Sequence, residues 1–170
     1  MIEHLFPGLS AMQNTHPLFV HFPVAFFIGA ALMEAVAVFY KERFHFVATW
    51  LLYMGVFAAV ITVGSGFGAA AQVAAHDPLG HDSPAHHFIH THRNWMLLST
   101  LFGMGLAVYF LWVNQRDKWR SHRFGLFAGS LVLALLVSMG ADRGGRLVFE
   151  FGTGVNPKII KQPTEGEHND

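Results

Sequence analysis

The sequence predicts an all-α fold: an integral membrane four-helix up-down bundle followed by a short polar C-terminal tail. Three observations lead there. Four apolar segments follow one another, each reaching or approaching the roughly 18–20 residues that cross a bilayer. The polar breaks between them are short. Of 170 residues, 52% are hydrophobic and 13% charged, and mean hydropathy is positive, a profile of membrane proteins rather than soluble domains.

The first span runs from about Leu18 to Phe39, inside "THPLFVHFPVAFFIGAALMEAVAVF". Pro17 suits a first helical position. Pro23 has no N–H, which frees the carbonyl of Phe19 and predicts a kink at the helix entrance. The preceding residues 1–14 carry Glu3 and no Lys or Arg, so they do not read as a cleaved signal peptide. The second span runs from about Phe46 to Ala75, with a softer end, "GSGFGAAAQVAA". The third runs from Trp95 to Val113 and the fourth from Phe124 to Ala141. After it, "RLVFEF" alternates over too few residues to define a strand. Residues 1–156 are expected to form the membrane domain. Residues 157–170, ending "PTEGEHND", read as a flexible polar tail.

The breaks set the orientation. "YKERFH" holds Lys41 and Arg43, and "NQRDKWRSHR" holds Arg116, Lys118, Arg120 and Arg123. The break from His76 to Asn94 holds Arg93 against Asp77 and Asp82. The positive-inside rule places the two basic breaks in the cytoplasm. Both termini and the histidine-rich break then lie on the periplasmic side of a bacterial inner membrane. Trp50, Trp95, Trp112 and Trp119 fall near span ends, as interfacial anchors do.

Composition excludes several functions. There is no cysteine, which removes disulfides, thiolate metal sites, iron–sulfur clusters and covalent c-type haem. Lys plus Arg equals Asp plus Glu at 11 each, so nucleic acid is not an expected partner. No P-loop, dinucleotide fingerprint or nucleophile triad occurs.

Twelve histidines carry the functional reading. His16 and His21 open the first span. His76, His81, His86, His87, His90 and His92 lie in the histidine-rich break and run into the third. Spans one and three cross the membrane in the same direction and can face each other diagonally. Imidazoles from both reach one depth near the periplasmic face, as an axially ligated b-type haem requires. His16 and His21 are five residues apart, about 140° around a helix, so one of them would be the ligand; the same holds for His90 and His92. His21 and His92 are the expected pair, being nearest the apolar core. Gly64, Gly66 and Gly68 would clear space for the macrocycle or for close helix contact, Gly64 and Gly68 also reading as a GxxxG packing pattern. Arg93, Arg143 and Arg146 are on the side of the propionates.

Alternatives accompany each assignment. His86 and His90, four apart, would share a helical face and suit Cu or Zn. Glu34 is expected to snorkel towards Lys41 or Arg43 rather than move protons. His45 and His122 are expected to be surface histidines, a second haem between them being the less favoured reading. Asp142 and Arg143 read as a surface ion pair. His4 and His168 are terminal and without an expected role.

"HPLFVHFPVAFFIGAAL" and "GADRGGRLVFEFGTGV" resemble the two ends of a bacterial family of four-helix membrane proteins, domain of unknown function 2231. The matching residues are His16, Pro17, Val20, His21, Phe22 and Pro23, then Gly144, Gly145, Leu147, Val148, Phe149, Gly152, Gly154 and Val155. The resemblance covers about residues 15–156. It implies the four-helix membrane fold, a histidine at the start of span three (matched by His90 or His92), and a link to cytochrome-like or copper-handling respiratory proteins with b-type haem. The expanded histidine break departs from the family pattern and leaves room for extra metal.

The expectation is therefore a non-catalytic electron-transfer subunit, a membrane b-type cytochrome holding at least one haem b. Its partners would be other membrane redox subunits and a periplasmic electron carrier or a quinone. Two other readings stand beside it: a Cu- or Zn-handling membrane protein using the histidine-rich break, and a structural subunit of a respiratory or photosynthetic complex.

Overall fold

The structure is a computed structural model that describes residue 5 and residues 14–76 and 84–154. The expected tail 157–170, His4, His81 and His168 lie outside the described residues. Within them the chain forms α1 (His16–Phe19), α2 (His21–Phe39), α3 (Phe44–His76), α4 (Pro84–Gln115) and α5 (Trp119–Phe149), with no strand. The first span is α1 with α2; the other three helices are one span each. All four are long and apolar enough to cross a membrane.

Order around the bundle follows the chain. α2 packs on α3 and α5, α3 on α4, and α4 on α5, while α2 and α4 do not pair. Spans one and three are thus diagonal. Short breaks enforce this antiparallel order. Asp117 supplies the one positive φ outside glycine among the described residues, 50°, in the turn before α5; aspartate is among the residues that tolerate this conformation.

The first span breaks where the prolines fall. Pro17 occupies the first turn of α1, and Pro23 cannot donate to Phe19. The carbonyl of Phe19 instead lies 3.1 Å from Thr62 Oγ1 of α3, whose single hydrogen it shares with the carbonyl of Ala58 at 2.8 Å. The hydrogen-bond ladder loosens at Val20, whose backbone stays helical (φ −62°, ψ −28°), and α2 follows from His21. α1 leans on α3, which turns His16 inward while His21 is left exposed.

Phe27 sits at the centre of the bundle, 1% exposed. Its ring lies where a Cβ on Gly55 or Gly103 would be, at 2.6 Å and 3.2 Å, so both glycines are needed for this close approach. Leu52, Phe110, Val113, Leu126, Leu133 and Val137 complete the core. The outward faces carry exposed Leu32, Phe57, Leu101, Val108 and Leu135. On membrane-spanning helices such faces meet lipid.

Several boundaries differ from the sequence reading; α5, for one, opens at Trp119 rather than Phe124. α4 begins at Pro84, so much of the histidine-rich break is helix; a proline suits that first position. α5 continues past Ala141 to Phe149, because Leu147 is buried and rewards the extra turns. α3 opens at Phe44, not Phe46. Helices of 31 to 33 residues are about 47–50 Å long at 1.5 Å per residue, so their ends project beyond a hydrocarbon layer of roughly 30 Å.

Most hydroxyls in the spans return to the helix. Ser99, Thr100 and Ser138 each donate to the carbonyl four residues back at 2.8 Å. Ser130 Oγ is buried and has no hydrogen-bond partner among the described residues. An unsatisfied buried hydroxyl costs about 1–3 kcal/mol. Ser130→Ala is therefore expected to raise the thermal midpoint in detergent, whereas a fall would reveal a partner for the hydroxyl.

Candidate functional site

At the histidine-rich end, His16 and His92 approach from diagonal spans. The His16 ring lies over Gly66 of α3, where a Cβ would stand 3.0 Å from Cε1. Its Nδ1 is 3.0 Å from Ser65 Oγ. The Ser65 hydroxyl also lies 2.9 Å from the carbonyl of Thr62; when it donates there, it accepts from a hydrogen on His16 Nδ1. The His92 ring lies over Gly144 of α5, where a Cβ would stand 2.9 Å from Cε1. Its Nδ1 is 2.9 Å from the carbonyl of Gly140. A carbonyl only accepts, so this Nδ1 carries hydrogen. The two rings are within electrostatic range of each other. In the neutral form His92 then has its lone pair on Nε2, as does His16 when Ser65 donates to Thr62, the tautomer that a histidine ligand adopts when its other nitrogen is held by an acceptor.

The other residues assigned from sequence fall as follows. His21 is exposed and does not join the pair. His90 Nε2 lies 2.9 Å from His86 Nε2, with the rings edge to face at 4.5 Å, so those two form a separate couple on α4. Arg93 stands over Phe67 at 5.9 Å. Arg143 stands over Trp95 at 4.3 Å and donates to the carbonyl of Met139. Arg146 stands over Phe88 and makes two 2.8 Å bonds to Glu150. These bonds hold the Glu150 carboxyl below the usual carboxylate range. Any stability they add is present above that range and lost as pH falls through it. A Cβ on Gly64 or Gly68 would meet nothing within 4 Å; the middle glycine, Gly66, makes the close approach. Ser65 and Gly140 were not singled out from sequence. Their signal was position, Ser65 next to Gly66 and Gly140 one helical turn before Gly144, readable only once the helix faces are known.

The basic end corrects the expectation for Glu34 and His45. Glu34 is fully buried. It does not reach Lys41 or Arg43. Its Oε2 is 2.7 Å from His45 Nδ1, and its Oε1 accepts from Trp119 Nε1 at 3.0 Å. His45 Nε2 faces Asn114 Oδ1 at 2.7 Å. Asn114 Nδ2 points to Thr49 Oγ1 at 3.4 Å, and Thr49 donates to the carbonyl of His45. Because α3 opens early, His45 lies in its first turn and faces inward, stacked on Phe110 and tilted against Trp119. All four spans contribute: α2 through Glu34, α3 through His45 and Thr49, α4 through Asn114, α5 through Trp119. His122 is half-buried, not a free surface group. Its Nδ1 is 2.7 Å from Tyr109 Oη, and its ring stands edge-on to Trp112.

Residues 12–157 match the family described as predicted membrane protein (DUF2231). The chain belongs to that family. Comparison with curated proteins and with solved structures gives no match. In this DUF2231 chain the two end motifs meet at one place. The opening motif supplies His16, and the closing motif supplies Gly144, the seat of His92. Among the described residues no group of three or more His, Asp or Glu side chains is arranged to hold a bare metal ion. The donors of the diagonal pair are the imidazoles of His16 and His92.

Proposed function

We propose that this membrane protein holds a b-type haem between His16 and His92 and serves as an electron-transfer subunit. One observation carries the reading: both rings have Nδ1 engaged, His92 by the carbonyl of Gly140 and His16 by Ser65 Oγ, which favours Nε2 as the ligating nitrogen on each. The donor chemistry fits the group. Two neutral imidazoles, on diagonal spans of a four-helix bundle, are a recurrent haem ligand set, and Gly66 and Gly144 let each ring lie against a helix backbone. Bound there, the haem would supply a one-electron iron couple. Ser65 and Gly140 would fix ring orientation and raise ligand basicity. Arg93, Arg143 and Arg146 stand at the same end, although Arg143 and Arg146 already hold other partners. With both axial positions filled from the protein, electron transfer is favoured over substrate chemistry. The partners on this reading are other membrane redox subunits and a periplasmic carrier or quinone, with the histidine-rich end facing the periplasm.

A second reading has its own observation. The His86 and His90 Nε2 atoms converge to 2.9 Å, an arrangement that one Cu or Zn ion could exploit. The visible spectrum of purified protein separates the two. A Soret band with sharp reduced α and β bands is expected. Stoichiometric Cu or Zn with no haem bands would replace the first reading by the second, and absence of both would leave a structural subunit.

A further inference from the structure

We infer that Glu34 and His45 form a proton-exchange site, loaded and unloaded from the basic end of the bundle. This stands independently of the haem. It rests on counting hydrogens in a closed network.

With the Asn114 amide placed so that Nδ2 donates to Thr49, its Oδ1 is an acceptor and His45 Nε2 would carry a hydrogen. The 2.7 Å contact between His45 Nδ1 and Glu34 Oε2 then needs one hydrogen. Imidazolium with carboxylate and imidazole with carboxylic acid both satisfy it, and both are net neutral. Removal of one proton leads to a single state from either. The hydrogen on Nε2 leaves to water, and the remaining one sits on Nδ1, donating to the Glu34 carboxylate.

That deprotonated state can also be fully bonded. Rotation of the Asn114 amide presents Nδ2–H to the Nε2 lone pair. Thr49 turns its hydroxyl from the His45 carbonyl to Asn114 Oδ1. Every donor then points towards Glu34, which keeps Trp119 Nε1–H on its other oxygen. A static clasp needs only one such arrangement. This network has two, differing by one proton, and the reversal requires no backbone movement.

Access is one-sided. Glu34 is sealed, but His45, Thr49 and Asn114 line a cleft of about 480 Å3 between α3 and α4. Asn114 is exposed on the cleft side. Glu42, Arg43 and Asp117 also line it, and Arg120 of α5 is held by Glu42 at 3.0 Å. Besides Glu34, α2 carries one titratable group, His21, at the opposite end. On α5, His122 is bound to Tyr109 of α4. On this proposal the proton path runs from the cleft, whose lining also includes Phe46, Trp50, Tyr53 and Leu111, through the His45 ring to Glu34.

The test uses full-length protein in lipid nanodiscs with 15N-labelled histidine and asparagine side chains. The His45 signals are assigned by their loss in His45→Gln. The expected result is a single pH step in which Nε2 changes from N–H to lone-pair type while Nδ1 keeps its hydrogen. The Asn114 amide signal should move in the same step. Glu34→Gln removes the carboxylate that His45 Nδ1 faces and should change the pH dependence of the Nε2 signal. An Nε2 that stays protonated at every pH where the protein remains folded would overturn the proposal. So would a step whose midpoint is the same in Glu34→Gln. If that variant does not fold, the wild-type His45 and Asn114 signals decide alone.

Discussion

On the proposed haem reading, replacing either His16 or His92 by alanine is expected to abolish a low-spin haem spectrum, and His21→Ala is expected to leave it intact. Each alanine would remove one of the two proposed ligand nitrogens, and the remaining imidazole would not by itself give a six-coordinate low-spin centre. His21 is the control because its side chain is exposed. Glycine variants test the same geometry without touching a donor. A Cβ on Gly144 would stand 2.9 Å from His92 Cε1, and one on Gly66 3.0 Å from His16 Cε1. Gly144→Val and Gly66→Val should therefore displace a ring and weaken the low-spin bands. Gly64→Ala and Gly68→Ala, whose Cβ atoms would meet nothing within 4 Å, should leave them unchanged. Loss of the spectrum in His21→Ala, with retention in His16→Ala, would reverse the ligand assignment.

The four spans were legible because the bilayer imposes a length and a composition on each of them. The diagonal placement of spans one and three followed from short connections alone. The kink was legible too: Pro23 cannot bond Phe19, and the freed carbonyl needed a donor. That the donor would be Thr62, forty-three residues away, was not readable, since it depends on which face of α3 meets α1. The orientation of the histidines was not readable. Val20 keeps a helical backbone (φ −62°, ψ −28°), so the roughly 140° between His16 and His21 stands, but which of the two faces inward depends on how the span is rotated against α3. Depth alone pointed to His21, and the packing leaves it exposed. Glu34 failed for a related reason. A carboxylate near a basic loop can reach water by snorkelling, and the sequence does not reveal that His45 and Trp119 converge on it from two other helices. Buried polar networks are built from residues far apart in the chain, so their members look like isolated surface groups until the packing is known.

Glu34→Ala is expected to be the most destabilising single change at the basic end. It leaves His45 Nδ1 and Trp119 Nε1, both in buried surroundings, without an acceptor, and it opens a void among four helices. Removing one member of a buried, hydrogen-bonded pair costs about 3–5 kcal/mol. Glu34→Gln keeps one acceptor and should cost less. Replacing both members by apolar groups, as in Glu34→Leu with His45→Leu, should cost less than the sum of the two single changes, because no unpaired polar atom remains on either side. The Arg120–Glu42 pair is the internal reference. Its side chains are 84% and 51% exposed, and a surface pair of this kind contributes about 0–1 kcal/mol. Thermal or denaturant unfolding in one detergent, run on Glu34→Ala and Glu42→Ala together, makes the comparison. Equal losses in the two variants would mean that the Glu34 carboxylate is solvated and that its bonds to His45 and Trp119 are not formed. A large difference, reduced in the Glu34–His45 double replacement, is the outcome that a sealed carboxylate–imidazole pair demands.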